Sequence, residues 1–207
     1  MPLLSVENIA PDVRLGLWKM NETIEDLFNQ YPFLSSEKDE IFKSNKSNTR
    51  RLEILTERIM LREMFGRGVK LLHQSSGRPL LSDGKNISIS HTKGLVAVMV
   101  SPDSLVSVDV EYVSDRVSRI VSHFLREDEC ADTRLSQLLH WCTKETLYKL
   151  YSEDNLAFND IRLFNIQGTD CHGTITAENL RRNKTVKVVY RQSDNFVLTY
   201  AFLADER

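Results

Sequence analysis

Two acidic side chains lie two residues apart in segment 106–113, which reads VSVDVEYV. The alternation of valine with polar residues predicts a strand, and every second side chain of a strand lies on the same face. Asp109 and Glu111 should therefore point the same way, about 7 Å apart. Carboxylate oxygens at that spacing suit magnesium, which is held by one or two carboxylates together with substrate phosphates. The alternative is a solvated outer face, because this short motif is weak when taken alone.

A second set of charged side chains falls on one face of a predicted helix over residues 133–151. The apolar stripe of that helix consists of Leu135, Leu138, Leu139 and Cys142. Trp141, Glu145 and Lys149 recur at intervals of four, so they share a face. Glu145 could supply a third metal carboxylate or a base, while Lys149 and Lys144 could neutralise phosphate. The alternative is an ordinary Glu–Lys pair on an exposed helix, worth about 0.2–0.5 kcal/mol.

Candidate phosphate contacts lie upstream of the acidic strand. The sequence NISISHT predicts a strand that delivers Ser90 and His91 to a turn. The tripeptide Gly77-Arg78-Pro79 places a permanently charged guanidinium in a stiff turn, where it could hold a phosphate with two hydrogen bonds. An ordinary surface turn would have the same sequence.

The elements that must position these residues follow a repeated order. The first half is predicted to contain a strand over 12–20, helices over 21–30, 35–42 and 48–65, and strands over 86–90 and 95–101. The second half is predicted to contain a strand over 106–113, helices over 115–125 and 133–151, and strands over 172–177, 184–191 and 195–203. We therefore expect an α+β fold of two similar halves, 1–103 and 104–207, with the second carrying the acidic residues.

Composition excludes several function classes. The chain has 207 residues, a net charge of −2 and 41% hydrophobic residues, which is typical of a globular protein and gives no basic surface for nucleic acid. Cys130, Cys142 and Cys171 have neither zinc-site nor disulfide spacing. No segment has the length of apolar sequence that a bilayer span needs. We expect a cytoplasmic protein without membrane or nucleic-acid partners.

In chain order, five motifs resemble the 4'-phosphopantetheinyl transferases of the Sfp type, in the holo-acyl-carrier-protein synthase superfamily. They are GRP at 77–79, SISHT at 88–92, VDVE at 108–111, FLREDE at 124–129 and WCTKETLYK at 141–149. Ser107 stands where that family usually has glycine. The resemblance implies a monomer with two α+β halves in a pseudo-twofold arrangement and an active site in the cleft between them.

The resemblance also implies roles for individual residues. Magnesium, with manganese as an alternative, would be held by Asp109, Glu111 and Glu145. Coenzyme A would be contacted by Arg78, Ser90, His91, Lys144 and Lys149. A further coenzyme-binding arginine is expected in the helix over 48–65, where Arg50, Arg51 and Arg58 are the candidates and Arg51 is our choice.

The reaction implied is transfer of 4'-phosphopantetheine from coenzyme A to a serine of an apo acyl or peptidyl carrier protein, with release of adenosine 3',5'-bisphosphate. Glu145, Lys149 and Asp109 would be the catalytic residues. Such carrier proteins are generally acidic, so Arg116, Arg119 and Arg126 could form a docking face. Two alternatives stay open at this stage: a non-catalytic binding module with the same fold, and a magnesium-dependent phosphodiester enzyme. The sequence does not identify the carrier protein or the tolerance for acyl-coenzyme A.

Overall fold

The computed structural model describes residues 3–66, 68–74 and 77–204. The first half contains strands β1 Leu3–Ala10, β2 Val13–Lys19, β3 Leu71–His73, β4 Pro79–Leu81, β5 Asn86–Thr92 and β6 Leu95–Ser101, and helices α1 Ile24–Gln30, α2 Lys38–Ser44 and α3 Asn48–Phe65. The second half contains strands β7 Ser104–Tyr112, β8 Ile161–Gly168, β9 His172–Asn179, β10 Lys184–Gln192 and β11 Phe196–Ala204, and helices α4 Val121–Phe124 and α5 Arg134–Leu150.

Each half combines an antiparallel sheet with one long helix. The first sheet has the order β1-β2-β6-β5, and the second has the order β7-β11-β10-β9-β8. Strands β3 and β4 form a separate hairpin. The predicted α+β fold class is therefore confirmed. The proposed boundary after residue 103 falls in the turn that connects β6 to β7.

Local sequence explains where the two long helices begin. Thr133 accepts a hydrogen bond from the Ser136 amide, and Ser136 bonds back to the Thr133 amide, so a capping box starts α5. Ser47 caps α3 through the Arg50 amide, directly before the first residue of the helix predicted over 48–65. These caps satisfy amides that lack partners in the first turn.

Three apolar cores hold these layers together. The first, between α3 and the first sheet, includes Leu55, Ile59 and Val98. The second, between α5 and the second sheet, includes Leu147 and Ile175. The third joins the two sheets and contains Leu15, Met99, Val108 and Leu198, all completely buried. This third core fixes the position of one half against the other.

Three hydroxyls also join the halves, and we call them the hydroxyl seam. Ser88, Ser90 and Thr92 of β5 accept hydrogen bonds from the backbone amides of Val108, Val110 and Tyr112 in β7, at 3.0, 3.2 and 3.0 Å. The two strands run in the same direction, and each hydroxyl meets an amide twenty residues later. Side chains therefore replace the backbone carbonyls that would normally pair two strands.

Some predicted elements differ from the structure. The helix predicted over 115–125 is limited to a 3₁₀ turn, Ser118–Ile120, followed by the short α4, because Ile120 departs from helical geometry with φ −118° and ψ 13°. Strands β1 and β8 were not predicted. Five consecutive residues at the end of β8 are exposed, so it lacks the alternation that identifies a half-buried strand. Within the described ranges, no helix is both long and apolar enough to cross a bilayer.

Candidate functional site

Strand β7 is buried on both faces, contrary to the solvated-face interpretation. Val106 and Val108 face the core between the sheets. On the opposite face, Ser107 donates a 2.6 Å hydrogen bond to the Thr146 carbonyl of α5. Asp109, two residues further on that face, is only 5% exposed. A buried carboxylate needs compensating charge or hydrogen bonds, so its contacts indicate its role.

Asp109 is held through one of its two oxygens. Its Oδ1 accepts hydrogen bonds from the Ser90 hydroxyl at 2.8 Å and from Lys149 Nζ at 2.7 Å. Lys149 also donates to the Val108 carbonyl at 3.2 Å, so its ion pair is with β7 and differs from the Glu145 pair that was the alternative interpretation of the helix. Among the described atoms, Asp109 Oδ2 is buried and has no hydrogen-bond partner. Oδ2 is therefore the Asp109 oxygen that could accept a cation.

Glu111 is surrounded by donors from three parts of the chain. The indole N–H of Trp141 donates to Oε1 at 3.0 Å, the Thr92 hydroxyl donates to Oε2 at 3.3 Å, and Arg116 forms an ion pair with Oε1. Burial and the neighbouring Asp109 raise the pKa of Glu111, while Arg116 opposes that rise. Trp141 is itself fixed between Phe124 and Phe158, with ring centroids 5.3 and 5.2 Å away. The two phenylalanine rings therefore hold Trp141 in place, and Trp141 orients Glu111 through its hydrogen bond.

Glu145 completes the acidic cluster. Burial is the main cause that raises the pKa of Glu145 to about 7, and Asp109 adds to it while Lys149 opposes it. A carboxyl with this pKa can exist in either protonation state near neutral pH, which suits a general base. Its position on α5, directly opposite β7, results from the helical spacing seen in the sequence.

The residues present fit a hard divalent cation. Among the described residues, no group of three His, Cys, Asp or Glu side chains already has metal-coordination geometry. Nevertheless, the three carboxylates interact electrostatically, and Asp109 Oδ2 has no hydrogen-bond partner among the residues that the structure describes. Oxygen donors with excess negative charge are the ligands that magnesium prefers. Asp109, Glu111 and Glu145 would hold such an ion.

Lys144 requires a correction, because the structure does not bring it to this cluster. Its side chain is completely buried and pairs with the equally buried Glu129 at 2.7 Å. The two remaining ammonium protons are shared among the carbonyl oxygens of Phe124, Ile161 and Phe158, which lie 2.8, 3.0 and 3.2 Å from Nζ. Lys144 is therefore part of an internal ion pair that holds α5, and no proton is left for a phosphate.

Glu129 is a structural residue that the sequence analysis missed. Its carboxylate also accepts hydrogen bonds from the backbone amides of Leu163 at 2.7 Å and Arg126 at 3.0 Å. It thereby connects α5 to the segment before it and to the start of β8. The motif FLREDE contained the signal, since it ends on this acidic residue.

The turn at Gly77-Arg78-Pro79 lies beside Lys149. Gly77 has a positive φ of 86°, which glycine adopts without strain. The turn lines a cavity of 330 Å³ together with Tyr148 and Lys149 of α5. Arg78 forms an ion pair with Glu153 at 3.5 Å. The cavity thus extends from the turn to Lys149, the ion-pair partner of Asp109, and has room for part of a nucleotide-sized ligand.

His91 lies next to Arg50 rather than Arg51. The distance between His91 Nε2 and Arg50 Nη1 is 2.6 Å, and Glu53 lies 3.7 Å from the same ring nitrogen. A guanidinium can only donate, so Nε2 accepts and the ring is neutral. Burial, with a contribution from Arg50, lowers the pKa of His91, while Glu53 opposes this.

The other two candidate arginines are engaged elsewhere. Arg51 donates to the Asn45 carbonyl at 2.7 Å and to the Phe42 carbonyl at 3.2 Å, and its guanidinium lies 4.2 Å from the Phe42 ring centroid. Arg58 pairs with Glu37 at 2.8 Å. Arg51 therefore joins α2 to α3, whereas Arg50, which also pairs with Glu53 and Glu57 at 3.0 and 3.4 Å, lies beside His91.

Ser90 also differs from its expected role as a ligand contact. The residue is 7% exposed, and its hydroxyl is already bonded to the Val110 amide and to Asp109. Its single proton is thus directed to the carboxylate. Ser90 therefore contacts the acidic cluster from β5, through its hydrogen bond to Asp109.

Comparison with known families finds a match in the second half of the chain. Residues 105–201 match the family model of the 4'-phosphopantetheinyl transferase superfamily. The matched segment contains most of β7, all of α5 and most of β11, and hence Asp109, Glu111 and Glu145. The comparison with curated proteins finds no match. The family match supports a general role in phosphopantetheine transfer, and the C-terminal half of this chain is similar to 4'-phosphopantetheinyl transferases.

Proposed function

We propose that this protein is a 4'-phosphopantetheinyl transferase of the Sfp type. It moves the phosphopantetheine arm of coenzyme A onto a serine of an apo acyl or peptidyl carrier protein and depends on magnesium, with manganese as a substitute. The two joined α+β halves support the Sfp type, in which one chain supplies both sides of the cleft. The protein would act as a monomer, with residues 1–103 and 104–207 as its halves.

The observation that carries this proposal is the cluster formed by buried Asp109 with half-buried Glu111, Glu145 and Lys149, in which Lys149 lines the cavity. Burying three carboxylates together costs stability, so the cluster is better explained by ligand binding than by packing. A magnesium ion held there would supply positive charge to the diphosphate oxygens. Lys149 is already within hydrogen-bonding distance of Asp109 and can add a second positive charge.

The proposed reaction begins with proton transfer from the carrier serine hydroxyl to Glu145, the carboxylate that α5 contributes to the acidic cluster. The serine oxygen forms a bond to the β-phosphorus of coenzyme A. The bond between that phosphorus and the oxygen bridging to the α-phosphate breaks, which releases adenosine 3',5'-bisphosphate. Lys149 neutralises charge that develops on the phosphate oxygens.

The nucleotide end of coenzyme A would occupy the cavity at the Gly77-Arg78-Pro79 turn. Arg78 and the Arg50–His91 pair are the proposed contacts for the 3'-phosphate. Arginine suits this role because its planar guanidinium can form two parallel hydrogen bonds with a phosphate.

Mass spectrometry provides the test. Apo acyl and apo peptidyl carrier proteins would be incubated separately with the protein, coenzyme A and magnesium. A mass gain of one phosphopantetheine on serine is the expected result. The gain should disappear with a chelator and in Asp109→Ala, but persist in the control Asp103→Ala, which changes an exposed residue. Absence of any mass gain on either carrier class would contradict the proposal.

A further inference from the structure

We propose that Ser90 and Thr92, in the first half of the chain, are positioning residues for the metal-binding carboxylates of the second half. Each hydroxyl connects an amide of β7 to the carboxylate beside it, so the first half sets the metal affinity of the second. This inference rests on the proposed function. Both residues lie outside the segment that matches the family model, which begins at residue 105.

The argument begins with the single proton of the Ser90 hydroxyl. The Val110 amide donates to Ser90 Oγ at 3.2 Å, so the oxygen acts as an acceptor towards the backbone. Its only proton is then available for one acceptor, and Asp109 Oδ1 lies 2.8 Å away. Because the amide fixes the oxygen, the proton has a fixed direction, and Ser90 holds the carboxylate in one orientation.

Thr92 repeats the arrangement one step along the strand. The Tyr112 amide donates to Thr92 Oγ1 at 3.0 Å, and the hydroxyl donates to Glu111 Oε2 at 3.3 Å. Two consecutive members of the hydroxyl seam thus hold two consecutive carboxylates. The repetition argues against an accidental contact.

The orientation of Asp109 has a direct consequence for ligand binding. Ser90 and Lys149 both occupy Oδ1, and Oδ2 is left buried and without a partner among the described residues. A carboxylate whose second oxygen is already fixed loses less conformational freedom when it binds a cation. Partners of this kind typically affect metal affinity by about 10- to 100-fold.

Ser88 provides a matched control within the same strand. It accepts from the Val108 amide at 3.0 Å, as Ser90 does from Val110, and it is similarly buried at 4%. In the described part of the chain, its hydroxyl makes no hydrogen bond to a carboxylate. Ser88→Ala and Ser90→Ala should therefore lose the same seam contact, while only Ser90→Ala loses the contact to Asp109.

The experiment is a titration with Mn²⁺ followed by electron paramagnetic resonance, with and without saturating coenzyme A. We expect Ser90→Ala to bind Mn²⁺ about 10- to 100-fold more weakly than wild type. Ser88→Ala should stay within about twofold in metal affinity. Both variants should lose thermal stability, Ser88→Ala through one hydrogen bond and Ser90→Ala through two. Equal metal affinities for the two variants would overturn the inference.

A second pair of variants covers the case in which Ser90→Ala does not fold. Thr92→Val should weaken Mn²⁺ binding, whereas Thr92→Ser keeps the hydroxyl and should retain it. If Thr92→Val binds as well as Thr92→Ser, the positioning role is excluded. If the Ser90 and Thr92 variants bind Mn²⁺ as the wild type does while the wild type is active, only this inference is wrong. If the wild type binds no Mn²⁺, the metal-dependent function is wrong as well.

Discussion

Lys149 Nζ lies 2.7 Å from Oδ1 of Asp109, across the space between α5 and β7. The residue proposed to meet phosphate is therefore already paired with a proposed metal ligand. The pair keeps the ammonium at the edge of the cavity, and the Lys149 side chain is 25% exposed there. Lys149 can contact a ligand without leaving the buried carboxylate.

Replacing Lys149 should reduce the rate of transfer more than the binding of coenzyme A. Lys149→Gln removes a positive charge beside the reacting phosphate, and loss of one such stabilising group typically lowers kcat by about 10²- to 10³-fold. Steady-state kinetics with a carrier protein would measure the change. The exposed Lys187→Gln is the control and should behave as wild type. A normal kcat for Lys149→Gln would remove this residue from the chemistry.

Glu145 should destabilise the metal-free fold at alkaline pH. Its folded pKa of about 7 lies above the ordinary value of 4.5, so the folded state binds the proton more tightly than the unfolded state does. The free energy of unfolding therefore decreases as pH rises from 4.5 through 7. Glu145→Gln removes this penalty and should stabilise the fold by about 2–3 kcal/mol at pH 8.

Thermal unfolding in a chelator at pH 8 and pH 4 would test this expectation. Glu145→Gln should raise Tm by roughly 5 °C at pH 8 for a chain of this size. The difference should vanish at pH 4, where Glu145 is protonated in both states. The same variant should lose transfer activity, so stability and activity should change in opposite directions. If Glu145→Gln is less stable than wild type at pH 8, ionised Glu145 does not lower the free energy of unfolding.

The Lys144–Glu129 pair should be essential for stability. Lys144→Met leaves the completely buried Glu129 without its ammonium partner, and loss of one member of a buried pair typically costs about 3–5 kcal/mol. The double variant Lys144→Met with Glu129→Gln should recover part of that loss, since no buried charge remains. Urea unfolding of the single and double variants measures the free energy of unfolding of each. If Lys144→Met were as stable as the exposed control Lys187→Met, the pair would have no structural importance.

Arg50 and Arg51 should differ although they are adjacent. Arg50→Ala and His91→Ala should lose most of the preference for coenzyme A over its form without the 3'-phosphate, because charge-assisted contacts are worth about 1.5–3 kcal/mol. Arg51→Ala should keep that preference and instead lower thermal stability, since Arg51 holds α2 to α3. Calorimetric titration of each variant with coenzyme A and with the form that lacks the 3'-phosphate measures the two affinities. Loss of the preference in Arg51→Ala alone would restore Arg51 as the coenzyme contact.

The docking face proposed for an acidic carrier protein is narrower than the sequence indicated. Arg116 pairs with Glu111, and Arg126 is engaged by Asp128 and the Asn159 carbonyl, whereas Arg119 is exposed. Reversing that exposed charge, in Arg119→Glu, should raise the Michaelis constant for the carrier and leave that for coenzyme A unchanged. The effect should diminish in 1 M salt, where the Debye length is about 3 Å. An unchanged carrier constant at low salt would place docking elsewhere.

Periodicity in the sequence was sufficient to predict α5 and the shared direction of Asp109 and Glu111. It could not predict that β7 is buried on both faces, because that depends on where α5 packs. The role of Lys144 was also inaccessible, since its carbonyl partners at Phe158 and Ile161 lie in a distant segment. Arg50 and Arg51 are neighbours in sequence, and only the rotation of α3 decides which of them reaches His91.

The hydroxyl seam fixes the register between β5 and β7, and this register depends on the type of the side chains in β5. Any residue can pair strands through its backbone, but only a side chain with an oxygen acceptor can pair β5 with β7 in this way. A shift by one residue would bring Ile87, Ile89 and His91 opposite the same amides, and the two isoleucines offer no acceptor. Mispaired halves would therefore bury unsatisfied amides. The same three side chains thus stabilise one alignment of the two halves and make the alignment shifted by one residue unfavourable.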